Sequence, residues 1–298
     1  MIALTVAVAA FAAYTGSPDA SPLPGAPRCP VFPTTNVWNK RVDRLPVAHN
    51  SAAMIKAFGL GTGMHPDFGS YAGYGIPINV VAGTQPRQRV RFTYAAESNK
   101  GPYPIPDEPK IEAGSDHHML IVDRDHCTLF ELYNARLGVG GWNAGSGATW
   151  NMSSNTLRPN GWTSADAAGL PILPGLVRYS EVMHGLINHA LRFTAPRTCN
   201  GHIYPARHDA GSGSCSVLPP MGLRVRLRAS FGLSKLSPQA RVIGLALKRY
   251  GMILADNGSP WYVSGFSNPA FKDDDLRTLN RITGADLVVV DTSHLRNG

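Results

Sequence analysis

The chain has 298 residues, enough for one large β domain or two small ones. Its composition, 43% hydrophobic and 16% charged against about 25% charged in ordinary soluble domains, excludes wholesale disorder. With 31 Gly and 24 Pro it points to many turns and short strands, and its net charge of +8 suits an anionic polymer or cell wall.

Residues 2–13 form an apolar run, too short to span a bilayer, which needs about 20 residues. Followed by small residues, it reads as the core of a secretory signal, and the Ser- and Pro-bearing stretch up to residue 27 reads as a linker. Residues 1–27 are therefore expected to lie outside one β-rich domain spanning 28–298. The four cysteines, Cys29, Cys127, Cys199 and Cys215, form no CxxC pair and agree with export. Cys199 and Cys215 bracket a Gly- and Ser-rich loop, which favours that bridge and leaves Cys29 to Cys127.

A short helix is expected over 48–59, ending at a glycine, then strands at 76–81 and 88–94. Arg87, Arg89 and Arg91 alternate along the second strand, as Arg224, Arg226 and Arg228 do later. Each set lines one face, either a basic stripe or an ordinary solvated sheet surface. A proline-rich loop over 100–109 precedes the clearest hairpin, 117–124 with 127–134, turning at Asp125 and His126. In it Met119, Ile121 and Asp123 share one face, and His118, Leu120 and Val122 the other. Cys127, Leu129, Glu131 and Tyr133 alternate with Thr128, Phe130 and Leu132.

Residues 138–169 are dense in Gly, Asn, Ser and Trp, and a loop of that length points to function. A short helix at 180–187 and strands at 188–194 and 222–230 follow. Ser237 then supplies an N-cap, Pro238 the first helical position and Gly251 the stop, with Ile243, Ala246, Leu247 and Tyr250 facing a core. Strands at 252–255 and 261–265 flank a turn at Asp256-Asn257-Gly258. A helix starts at Asp273, and an apolar strand closes the chain at 286–291. The expected fold is mainly β: an antiparallel two-sheet sandwich, jelly-roll-like, with a few peripheral helices.

No P-loop, dinucleotide fingerprint, HExxH or GxSxG is present, and no cofactor is implied. The densest chemistry is Asp116-His117-His118 running into the hairpin that carries Glu131. An apolar setting should raise the Glu131 pKa toward that of a useful acid, and a histidine can serve as base. Looser groupings occur at His65-Pro66-Asp67, Arg207-His208-Asp209 and Asp256-Asn257, which would make a metal site if they converged.

Trp142, Trp150 and Trp162 offer faces for sugar rings. Asn155, His208 and Asp256 can hydrogen-bond hydroxyls. The segments SDHHMLIVDRDHCTLFELYNA, GWTSADAAGLPILPGLVRY and YGMILADNGSPWYVSG resemble those of a broad group of exported bacterial proteins. The resemblance covers most of the chain after residue 28, implies an exported domain, and carries no activity or catalytic residue.

The expected function is an extracellular enzyme cleaving polysaccharide, by hydrolysis more than by elimination. Glu131 or Asp116 would be the acid or nucleophile, His118 the base, and Trp142, Trp162, Asn155, His208 and Asp256 the sugar contacts. Its partner would be the polysaccharide, with no nucleic acid and no membrane span. The alternatives are a wall- or glycan-binding module and a metal-dependent hydrolase of another substrate.

Overall fold

In the computed structural model, which describes residues 22–296, the chain opens with α1 (Ser51–Phe58), β1 (His65–Asp67), β2 (Ile78–Val81) and β3 (Val90–Phe92). Then come β4 (Met119–Asp123), β5 (Thr128–Tyr133), β6 (Arg136–Gly138), β7 (Gly141–Ala144) and β8 (Ser146–Asn151). The second half runs α2 (Tyr179–Met183), β9 (Leu191–Ala195), β10 (Arg224–Leu227), α3 (Pro238–Arg249), β11 (Met252–Asn257), β12 (Tyr262–Ser264), α4 (Asp273–Arg277) and β13 (Leu287–Val289). The expected signal-like run falls outside the described residues.

The chain is β-rich, as its turn residues and short alternating runs imply, but the ladders build three sheets. Their orders are β2-β4-β5-β8, β3-β7-β6 and β1-β12-β9-β11-β10-β13. Parallel pairs occur in all three: β2 with β4, β3 with β7, and both β1 with β12 and β9 with β11. The expected antiparallel two-sheet arrangement is corrected on both counts. Alternation reveals the faces of a strand, but a parallel partner arrives by a long crossover that leaves no local signal.

The hairpin of β4 and β5 lies at the centre of the first sheet, with Leu120 opposite Glu131 and Ile121 opposite Phe130. All five β4 residues are buried, because both of its faces are covered. Met119 and Ile121 pack with Val90, Trp142 and Ala144 beneath the small sheet. Leu120, Val122 and Leu129 pack on the other side with Ile172, Leu173 and Leu176. Leu23 and Ala26, from the stretch expected to be a linker, join this second cluster.

The largest core lies on the six-stranded sheet, under α1 and α3. In α3, Pro238 takes the first helical position and Ala240, Ile243, Ala246 and Leu247 are buried. Gly251 follows at φ +66°, where an added Cβ would collide with the Val225 carbonyl, so glycine is required at this stop. Gln239 and Asp275 tie α3 to the start of α4.

The expected long loop over 138–169 holds β7 and β8, and only its remainder is irregular. Its glycines had hidden the strands: Gly147 lies against Tyr103 and Phe92, where a side chain would collide. Both expected disulfides are present, Cys29–Cys127 and Cys199–Cys215. The second arginine set is not a basic stripe. Arg224 is buried and donates to the carbonyls of Val37, Lys40 and Tyr250, and burial lowers its pKa to about 9.

Candidate active site

Where the first sheet meets the six-stranded sheet, a cleft of about 430 Å³ opens. It is lined by Asp116, Tyr133 and Ser146, from the first sheet and the segment entering it, and by Asp256 and Asn257 at the end of β11. The floor is residues 163–167, and His208, Tyr94 and Glu97 complete the rim.

Asp256 reaches the cleft through an irregularity in β11. Leu254 pairs with Phe193 and Asp256 with Thr194, leaving Ala255 as an extra residue. Such a bulge breaks strict alternation and re-aims the side chain that follows. Asn257 then ties the disulfide-bearing segment to the cleft, accepting from Thr198 Oγ1 and donating Nδ2 to the Ala210 carbonyl.

Arg192, on β9, lies beneath the floor. Its Nε donates to Asp166 Oδ2 at 3.0 Å and Nη2 to Asp166 Oδ1 at 2.5 Å, while Nη1 donates to Ser264 Oγ. Asp256 Oδ2 lies 3.7 Å from Nη2. Burial, the charge of Asp166 and a hydrogen bond between the two carboxyls push Asp256 well above the ordinary carboxylate range, against the pull of Arg192. Burial also raises the Tyr133 phenol, and the charges of Asp116 and Asp256, with Tyr94, add to the shift.

The floor is held by its own backbone and by His118. Ser146 Oγ donates to the Ser164 carbonyl, and Ser164 Oγ accepts the Asp166 N–H and donates to the Leu170 carbonyl. His118 donates Nε2 to the Ala165 carbonyl at 3.1 Å, and its Nδ1 lies 2.6 Å from Glu112 Oε2. Burial alone would lower its pKa, but Glu112 overrides burial and holds the imidazole at about 9. At 2% exposure, His118 is not among the residues that line the cleft. It positions the Ala165–Asp166 backbone instead.

Glu131 is fully buried, with 0% exposure. Burial raises it to about 7, the direction expected from its apolar neighbours, although the Leu173 and Ile172 amides pull the other way. It accepts the Ile172 and Leu173 amides and is not among the residues that line the cleft. Trp142 is buried in the third cluster. Trp162 stacks on Arg158, which also lies over Trp150, and neither ring lines the cleft. Asn155 joins Thr35 and Asn36 elsewhere.

Of the residues expected from sequence, Asp116, His208 and Asp256 thus meet in the cleft. His208 donates Nδ1 to the Ala167 carbonyl, and its Nε2 lies 3.6 Å from Glu97. Asp166 and Arg192 were missed. Arg192 had left a trace, since an arginine between Leu191 and Phe193 in a strand must find a buried anion.

The other expected groupings stay apart. His65 Nε2 lies 2.6 Å from the Tyr74 hydroxyl, and Asp209 pairs with His202. Among the described residues no three His, Cys, Asp or Glu side chains converge as a metal-binding group. No helix among them is long and apolar enough to cross a membrane. Comparison with known proteins finds no family model, no curated relative and no solved structure that matches this chain.

Proposed function

We propose that the cleft is the active site of an exported enzyme that hydrolyses glycosidic bonds in a polysaccharide, with Asp256 as general acid and Asp116 as its partner carboxylate. The observation that carries this reading is Asp256: a carboxyl group lining an open cleft, its pKa pushed well above the ordinary carboxylate range by burial and by Asp166. Glycoside hydrolysis needs one carboxyl that keeps its proton for the leaving oxygen and a second, ionised one that attacks the sugar or activates water. Asp116 lines the same cleft, and its charge and that of Asp256 both raise the Tyr133 phenol.

The surroundings support a sugar. Tyr94 and Tyr133 offer ring faces, and Thr163, Ser164 and Asn257 offer polar groups at a volume suited to one or two rings. Two disulfides support action outside the cell. Of the two residues that sequence placed in the reaction, His118 acts in this reading by holding the floor through the Ala165 carbonyl, and Glu131 by accepting the Ile172 and Leu173 amides in the core.

The test is to incubate the purified protein and its Asp256→Asn variant with neutral, amino-sugar and acidic polysaccharides, following reducing ends and unsaturated sugars together. Reducing ends from the wild type alone support the proposal. Unsaturated products would replace hydrolysis by elimination. No cleavage with retention on an insoluble glycan would make the chain a binding module.

A further inference from the structure

The charge of the cleft runs opposite to that of the chain. The sequence carries a net charge of +8, yet among the described residues the cleft is lined by Glu97, Asp116, Asp166 and Asp256, with His208, and by no lysine or arginine. Arg192 lies behind Asp166, with its donors occupied by Asp166 and Ser264. Arg158 is likewise turned away, giving Nη1 to Asn99 Oδ1 and Nη2 to the Glu97 carbonyl.

Arg192 is engaged by Asp166 behind the cleft, so Asp116 and Glu97, the latter 3.6 Å from His208 Nε2, leave the cleft rich in carboxylate acceptors. A polyuronate would bring its own carboxylates against these two, and such like-charge contacts reject a ligand. A neutral sugar would leave them without a counter-charge. An ammonium group on the ring would give them one, while the ring itself meets Tyr94 or Tyr133, as cations and sugar faces both do.

Resting on the glycosidase reading, we infer that this cleft selects a cationic glycan, a polymer of amino sugars with free amines, over acidic and N-acetylated glycans. The cleft is where a positively charged protein departs from its own surface, and the departure falls at the proposed acid.

The experiment measures binding by calorimetry of glucosamine oligomers and of their N-acetylated and uronate counterparts to the full chain at mildly acidic pH, at low and high salt. Reducing ends are followed in parallel. The amine oligomer is expected to bind at least about tenfold more tightly, roughly 1.4 kcal/mol. That preference should shrink in high salt and in Glu97→Gln, whose remaining oxygen can still accept the Thr163 amide.

Equal or reversed affinity overturns the inference, and so does a preference that salt leaves untouched. Cleavage without the preference leaves the hydrolase standing and removes the cationic substrate. Preference without cleavage of any glycan does the opposite. The salt dependence needs no variant, so a poorly folding Glu97→Gln does not blunt the test.

Discussion

Glu131 and Asp256 are both carboxyls lifted by burial, and they are otherwise unalike. Glu131 projects from the middle of a sheet into a closed core, where the amides of Ile172 and Leu173 take up its oxygens. Asp256 sits past a bulge at a strand end, against a second carboxyl, with open volume in front of it. A raised carboxyl pKa therefore measures removal from water, not access to substrate. Only the second environment joins a held proton to a place where a leaving group can stand.

The contrast breaks most sharply on turnover. Asp256→Asn should lower kcat by roughly 10²–10⁴-fold, the usual contribution of a positioned acid, without loss of fold. Glu131→Gln should change kcat by no more than a few-fold. Reducing-end assays on both variants decide it: a dead Glu131→Gln with native circular dichroism would return the chemistry to the hairpin.

Stability separates the two regions next. Arg192→Ala leaves Asp166 and Asp256 together without their cation and should cost about 3–5 kcal/mol in urea unfolding. Glu131→Gln keeps an oxygen for the backbone amides but buries an extra donor, so a smaller loss of about 1–3 kcal/mol is expected. If the Arg192 variant were the more stable, the pair beneath the floor would not be held as the geometry indicates.

The pH dependence sharpens the comparison further. Glu131 titrates at about 7 in the fold against an ordinary 4.5, so the folded chain binds the extra proton, and stability falls as pH rises through that interval. His118 titrates at about 9 against 6.5, so its contribution is complete below 6.5 and is lost as pH rises to about 9. Both slopes have the same sign. The melting temperature should drop across this range, and His118→Gln should flatten the alkaline part. Activity should also fall with rising pH as Asp256 loses its proton, a decline that Glu131→Gln should leave in place.

The smallest effect concerns the tryptophans. Trp162→Phe should leave turnover within about twofold, because that ring meets Arg158 and not the cleft, and because the ring is only half-buried and phenylalanine keeps an aromatic face for Arg158, the stability change should be small as well. A large rise in KM would put the ring back on the substrate path.

Sequence alone determined the elements whose evidence is local. The hairpin faces of β4 and β5 follow from alternation, α3 from Ser237, Pro238 and a glycine stop, and the Cys199–Cys215 bridge from the loop it closes. It also picked out Asp116, His208 and Asp256 as polar groups, without knowing that they meet. Tertiary structure decided the rest. Strands β9 and β11 are parallel neighbours separated in the chain by β10 and α3, so neither the bulge that aims Asp256 nor the Arg192–Asp166 pair below it has a signature at any one place. Burial decided the roles as well. Glu131 and Trp142 bear the residue types of a sugar site, but covering both faces of the central sheet withdrew them from any substrate. Pattern along the chain records which face a side chain takes, whereas the distance from that face to water depends on what packs over it.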